Sequence, residues 1–245
     1  MRRCCIVLLL LFLVLLQNPI EADAVNTGFK TNPLPIEEKK AFVSNSNIQI
    51  LYEEPDKKTI LCFDVNSNGL IAIGQKTTGK KTICVYSTDG VFQYGYTFNC
   101  SGDFGIEWDE ENLNVYFIRS DVLVSVNPSG AILGAFEVEN TIDNNSYVNR
   151  FLNSTKRTNG KAEYYIDNDL GILNLFAFSY SQVIVKDANG NENIIYDVGT
   201  MQFLNIVLTI FFACISVFVI VVLIALQLKH STGAGSMCES ARRGR

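Results

Sequence analysis

The chain has 245 residues, of which 48% are hydrophobic, 11% aromatic and 18% charged, with a net charge of −5 and one histidine, His230. An acidic balance argues against nucleic acid as a partner and against docking on anionic lipid headgroups. A lone histidine near the C-terminus leaves the rest of the chain without Ser-His-Asp, Cys-His or His-zinc chemistry.

The first residues read as a secretory signal over 1–24: Arg2 and Arg3 form a positive start, Ile6 to Leu16 an apolar run, and Ala22-Asp23-Ala24 a small-residue cleavage site. Cleavage after Ala24 is favoured over an uncleaved anchor, because eleven apolar residues are short for a bilayer. Residues 25–202 then carry 14 Lys+Arg against 22 Asp+Glu, a net of −8. Val25 to Lys40, with Pro33, Pro35 and little apolar content, reads as a linker (25–41). Of seven cysteines only Cys62, Cys84 and Cys100 fall in the exported part, an odd number without Cys-x-x-Cys spacing. They are expected as small buried apolar residues, with no disulfide framework, metal or cofactor.

From Phe42 to about residue 200, β-branched and aromatic runs alternate with Asn, Asp, Ser and Gly, which predicts an all-β domain. Three segments repeat one order of strand, acidic turn, two strands, glycine turn and strand. The first strands are Ile60 to Asp64, Phe104 to Asp109 and Ala162 to Asp167; the second are Leu70 to Ile73, Leu113 to Ile118 and Ile172 to Phe178. The turn glycines are Gly90, Gly130 and Gly190, which lie 26, 21 and 23 residues after Asp64, Asp109 and Asp167. The predicted unit is a four-stranded antiparallel sheet with one face left for a neighbour. These repeats resemble the blades of β-propellers of the NHL or WD type over roughly Lys58 to Val198, although Trp108-Asp109 stands at a first turn and no Trp-Asp ends a blade. The resemblance implies a binding scaffold and no reaction. Closed propellers need about four to eight blades, so three units plus a strand at Asn47 to Tyr52 leave an open stack, completion by another chain, or a sandwich. Exposed edges make a homo-oligomer a natural expectation.

Two local patterns carry paired readings. Asp64-Val65-Asn66-Ser67-Asn68-Gly69 is half of a calcium loop but lacks the acidic twelfth position, where Gln75 stands, and a hairpin turn is the preferred reading over weak calcium binding. Tyr94, Tyr96 and Phe98 share one strand face, as a ligand platform or as core. The polar insertion Glu139 to Lys161 gathers Tyr147, Arg150, Phe151, Lys156 and Arg157, positive charge beside aromatics, and is the expected contact surface; the alternative is a solvated connection. Asn99, Asn144 and Asn153 head Asn-x-Ser/Thr triplets. A carboxylate pair within Asp103 to Glu111 is the one enzymatic possibility, as a glycosidase.

Phe203 to Leu228 contains no charged side chain over 26 residues, about 39 Å of helix at about 1.5 Å per residue, against about 30 Å of hydrocarbon. It predicts a transmembrane helix, with the lipid bilayer as its partner. Asp197 precedes it while Lys229, Arg242, Arg243 and Arg245 follow, which puts the tail 229–245 in the cytoplasm and 42–200 outside. The expected whole is a single-pass surface protein with a non-catalytic binding or sensing domain for an extracellular protein or glycan; the alternatives are a membrane-tethered carbohydrate-active enzyme and an accessory subunit of a membrane complex.

Overall fold

A computed structural model describes residues 25–160, 162–177 and 179–242, with side chains as far as Ala225. The expected signal lies outside the described residues, as do Lys161, Phe178 and the side chains of the expected tail. Strand β1 (Thr31–Pro33) and helix α1 (Ile36–Ser46) come first, then β2 (Gln49–Leu51). Three antiparallel meanders follow: β3 (Ile60–Val65), β4 (Ile71–Gln75), β5 (Lys81–Tyr86) and β6 (Phe92–Phe98); β7 (Phe104–Asp109), β8 (Asn112–Phe117), β9 (Val122–Val126) and β10 (Ile132–Val138); and, after helix α2 (Ile142–Leu152), β11 (Lys156–Asn159), β12 (Ala162–Asp167), β13 (Gln182–Lys186) and β14 (Glu192–Asp197). Helix α3 (Gly199–Arg242) ends the described chain.

The protein is therefore mostly β, in three open antiparallel sheets, with one C-terminal apolar helix. Two sheets are five-stranded where four were expected: β2 adds to the outer edge of β6, and β1 to that of β10. The presumed linker supplies β1 and most of α1. Pro33 is tolerated there because an edge strand can spare an N–H, and Phe29, buried at 6% exposure, pins the preceding residues.

The β3–β6 sheet is the middle layer. Its register puts Cys62, Gly74 and Ile83 on one face and Phe63, Ile73 and Cys84 on the other. The first face packs on Phe104, Ile106, Val115 and Val124 of the β7–β10 sheet, and the second on Tyr164, Ile166, Val183 and Tyr196 of the β11–β14 sheet. Both faces being covered, β4 and β5 are buried along their lengths and show no polar alternation. Tyr96 and Phe98 are core residues of the first interface, with Tyr94 packed against them. Cys62 and Cys84 point to opposite faces of one sheet and so cannot meet.

The three meanders agree most closely at the glycine turns. Gly90, Gly130 and Gly190 have φ of 76°, 85° and 86°, and each donates its N–H to the carbonyl three residues earlier, on Ser87, Asn127 and Asp187. Those three side chains in turn accept the N–H four residues on. Positive φ alone should make Gly190→Ala cost about 1 kcal/mol, since nothing lies within 4 Å of its added Cβ. Gly90→Ala should cost more by urea unfolding, because its Cβ would sit 2.9 Å from the Ile195 carbonyl oxygen.

The third unit departs from the expected alignment. Its first strand is β11, so Ala162 to Asp167 is a second strand, and Asp167 does not occupy the first turn. The strand expected over Ile172 to Phe178 is replaced, as far as Phe176, by a 3-10 helix (Gly171–Phe176). Asp64 also lies within β3 instead of forming the turn; Asn66 makes it, its Oδ1 accepting from Asn68 and Leu70 N–H, with Gly69 at φ 85°.

Candidate functional site

Strand β3 touches the first strands of both neighbouring sheets, β7 on one side and β11 on the other. Where these first strands converge they leave a cavity of about 450 Å³, walled by Phe63, Phe104 and Phe151 and carrying polar groups from Asp103, Thr155, Arg157 and Tyr180. Its size falls within the ~300–1,000 Å³ of small-ligand pockets. Helix α2 packs on the outer face of the β7–β10 sheet, and its last residues, Phe151 and Leu152, reach the cavity wall. Tyr147 and Phe151, one turn apart, form its inward stripe and pack on Phe29 at 4.8 and 5.9 Å between ring centroids.

One end of the cavity is closed by charge. Asp64 Oδ1 accepts from Arg157 Nε at 2.8 Å and Oδ2 accepts from the Trp108 N–H at 2.8 Å, so one carboxylate ties β3 to β7 and β11. The Trp108 indole N–H donates to the Asp64 carbonyl at 3.3 Å. Arg157 spends its other nitrogens on the carbonyls of Lys156 and Phe151, and its guanidinium lies 5.4 Å from the Phe63 ring centroid. The two side chains are only 13% and 17% exposed. Burial pushes the Asp64 carboxyl above the usual carboxylate range, with the Trp108 N–H and then Arg157 pulling it back. Asn159 Nδ2 completes the closure, donating to the Asn66 carbonyl at 2.8 Å. The carboxylate heading the half calcium loop is thus committed to an ion pair.

A second cluster anchors the N-terminal segment. Glu107 accepts from the Tyr147 hydroxyl, from Thr27 Oγ1 at 2.6 Å and from the Gly28 N–H, while Asp109 accepts from the Asn26 N–H. Burial, then the bond to Glu107, hold the Tyr147 hydroxyl well above its ordinary pKa. Of the acidic run Asp103 to Glu111, Asp103 is the member that lines the cavity.

The five expected contact residues split two ways. Phe151 and Arg157 line the cavity, and Tyr147 braces its roof. Arg150 and Lys156 face outward, with Lys156 Nζ 2.8 Å from Glu163. Helical and strand periodicity separate them: Arg150 is off the inward stripe of α2, and Lys156 alternates with Arg157 along β11. Asp64 and Glu107 read from the sequence as the head of a half calcium loop and as part of a carboxylate pair, and Trp108 as a turn residue; the ties they make here join segments far apart in the chain. Asn144, heading one Asn-x-Ser triplet, is buried and bonded to the Lys30 and Glu139 backbone. In folded protein from a glycosylating host, peptide mapping should find it unmodified.

Desolvation raises the thiols of Cys62 and Cys84, the latter to about 12. At pH 8 the Cys84 thiolate fraction is then about 10⁻⁴, so iodoacetamide should leave both unmodified until the chain is unfolded.

No protein-family model matches the chain, and no solved structure matches it. Among curated proteins it is 26% identical over 208 residues to the 3-phosphoshikimate 1-carboxyvinyltransferase of Picrophilus torridus. The alignment covers 74% of this chain and 48% of that enzyme, so the chain spans about half the relative's length. At this identity the likeness establishes neither a family nor an activity.

Proposed function

We propose that the protein is a single-pass membrane protein whose three-sheet domain lies outside the cell as a non-catalytic binding or sensing module, with the C-terminus in the cytoplasm. The observation that carries this is the state of α3. Over Gly199–Ala225 it is long and apolar enough to cross a bilayer, yet only 6% of its most apolar window is buried by the rest of the molecule. A core helix of a soluble protein would be covered; this one meets the domain only at its first turns, where Gln202 and Ile206 are buried. The basic flank after the span gives the orientation.

The convergence of first strands about one cavity supports a propeller-like scaffold, and the ligand is an extracellular protein or glycan that uses the cavity mouth and α2. The β14 edge, which carries exposed Glu192, Asn193 and Ile194 and has no outer partner among the described strands, is the edge for a homo-oligomer. The glycosidase alternative requires two carboxylates facing one space, and Glu107 and Asp109 are spent on the N-terminal segment. Protease added to sealed cells should remove the β domain as it does a control surface protein. A domain that survives until the cells are lysed would overturn the proposal.

A further inference from the structure

Outside α3, the described chain has one place where three large apolar side chains stand exposed within five residues. It is the 3-10 turn Gly171–Phe176, where Ile172 is 80%, Leu175 81% and Phe176 50% exposed. Other exposed apolar residues of the domain, such as Ile36, Tyr52, Val91 and Ile142, occur singly, which is ordinary for a surface. Leu173 is half-buried, so the exposed apolar surface of the turn is made by Ile172, Leu175 and Phe176.

This turn is continuous with the apolar helix and held to it. It touches α3. Residues 179–181, which follow it, are bonded to the start of the helix: the Gln202 side-chain amide donates to the Ser179 carbonyl at 2.6 Å, and the Val198 N–H to the Ser181 carbonyl at 3.0 Å. Phe176 and Ala177 share with Asn205, Ile206 and Thr209 the walls of an open, mostly apolar crevice of about 930 Å³. Thr209 lies about 9 Å beyond Phe203 along the axis at about 1.5 Å per residue, so the turn is level with the first part of the apolar stretch. An amphipathic segment at that level sits within the ~5–10 Å boundary between headgroups and acyl chains.

From this we infer that the Gly171–Phe176 turn is a second membrane contact: Ile172, Leu175 and Phe176 enter the outer leaflet beside α3, and lipid chains fill the crevice between them. This inference rests on the reading of α3 as a membrane span. Asp167 and Asp169 stand just before the turn, so the contact is made with apolar chains and not with anionic headgroups. Two anchors side by side would set the angle of the domain on the membrane, which one helix joined by a swivel would not.

The test uses the full-length chain in phosphatidylcholine vesicles whose lipids carry bromine either near the headgroup end or near the terminus of the acyl chains. Trp108, the sole native tryptophan, lies at the far end of β3 from Ile60, whose bridge partner Tyr180 adjoins the turn, so the wild type supplies the baseline. Tryptophan is introduced separately by Leu175→Trp and Ile172→Trp in the turn, and by Phe211→Trp in the helix. The turn variants should show added emission that is blue-shifted and quenched more by shallow bromines than by deep ones, while Phe211→Trp is quenched more by the deep ones. Quenching in the helix variant with none in either turn variant would overturn the inference and leave the span standing. Loss of quenching in all three would remove the span, and this inference with it.

Discussion

Arg157→Ala should cost about 3–5 kcal/mol at pH 7, a large part of the ~5–15 kcal/mol that a domain has in total. The guanidinium is the one cation bonded to the Asp64 carboxylate, and both are mostly buried. Removing it strands a negative charge at the junction of three sheets. The loss should shrink on acidification. Burial already raises Asp64 in the native protein, and Arg157 opposes that shift; without Arg157 the folded chain holds a proton at pH values where the unfolded aspartate, near pKa ~3.9, has lost it. A raised folded pKa means that the folded state binds more protons, so stability is highest below the unfolded value and is lost as pH rises through the folded one. The double variant Asp64→Asn, Arg157→Met keeps an acceptor for the Trp108 N–H while removing the stranded charge, and should recover most of the loss. Urea unfolding of the full-length chain in detergent, followed by Trp108 emission, reads all three. A single variant as stable as the wild type across pH would show that the pair carries no weight.

Gly105→Val should detach α2. Gly105 lies on the outer face of β7, and an added Cβ would collide with the Phe151 ring and lie 2.8 Å from Leu152 Cδ2. Overpacking of this kind costs about 1–3 kcal/mol, and the collision falls on the helix that roofs the cavity. The α2 amides should lose hydrogen-exchange protection while those of β4 and β5, covered on both faces, keep theirs. Because Arg157 follows α2 closely, the Asp64 pair should weaken in the same variant. Unchanged α2 exchange would mean that the helix is held by something other than its seat on Gly105.

Much of the local chemistry was legible in the chain. Gly90, Gly130 and Gly190 marked hairpin turns because positive φ is a requirement that a single residue satisfies. Short β-branched and aromatic runs bounded by turn residues marked β3 and β7 for a similar reason. The third unit was misaligned by one strand because Lys156-Arg157-Thr158-Asn159 has no apolar alternation; it is a strand only because β12 pairs with it. The run Ile172 to Phe176 looked like a strand because apolar content was visible and its lack of a facing layer was not. Val25 to Lys40 looked like a linker because a single residue, Phe29, carries its burial.

What the sequence by itself determined was one long uncharged apolar stretch near the C-terminus and a set of glycine hairpins ahead of it, both set by neighbours within a few residues. What only the tertiary structure decided was that the β3–β6 sheet lies in the middle, that α2 covers the outer face of the β7–β10 sheet, and that Asp64 and Arg157, 93 positions apart, meet. Burial and charge pairing depend on which surfaces come together in space, and separation along the chain carries no record of that.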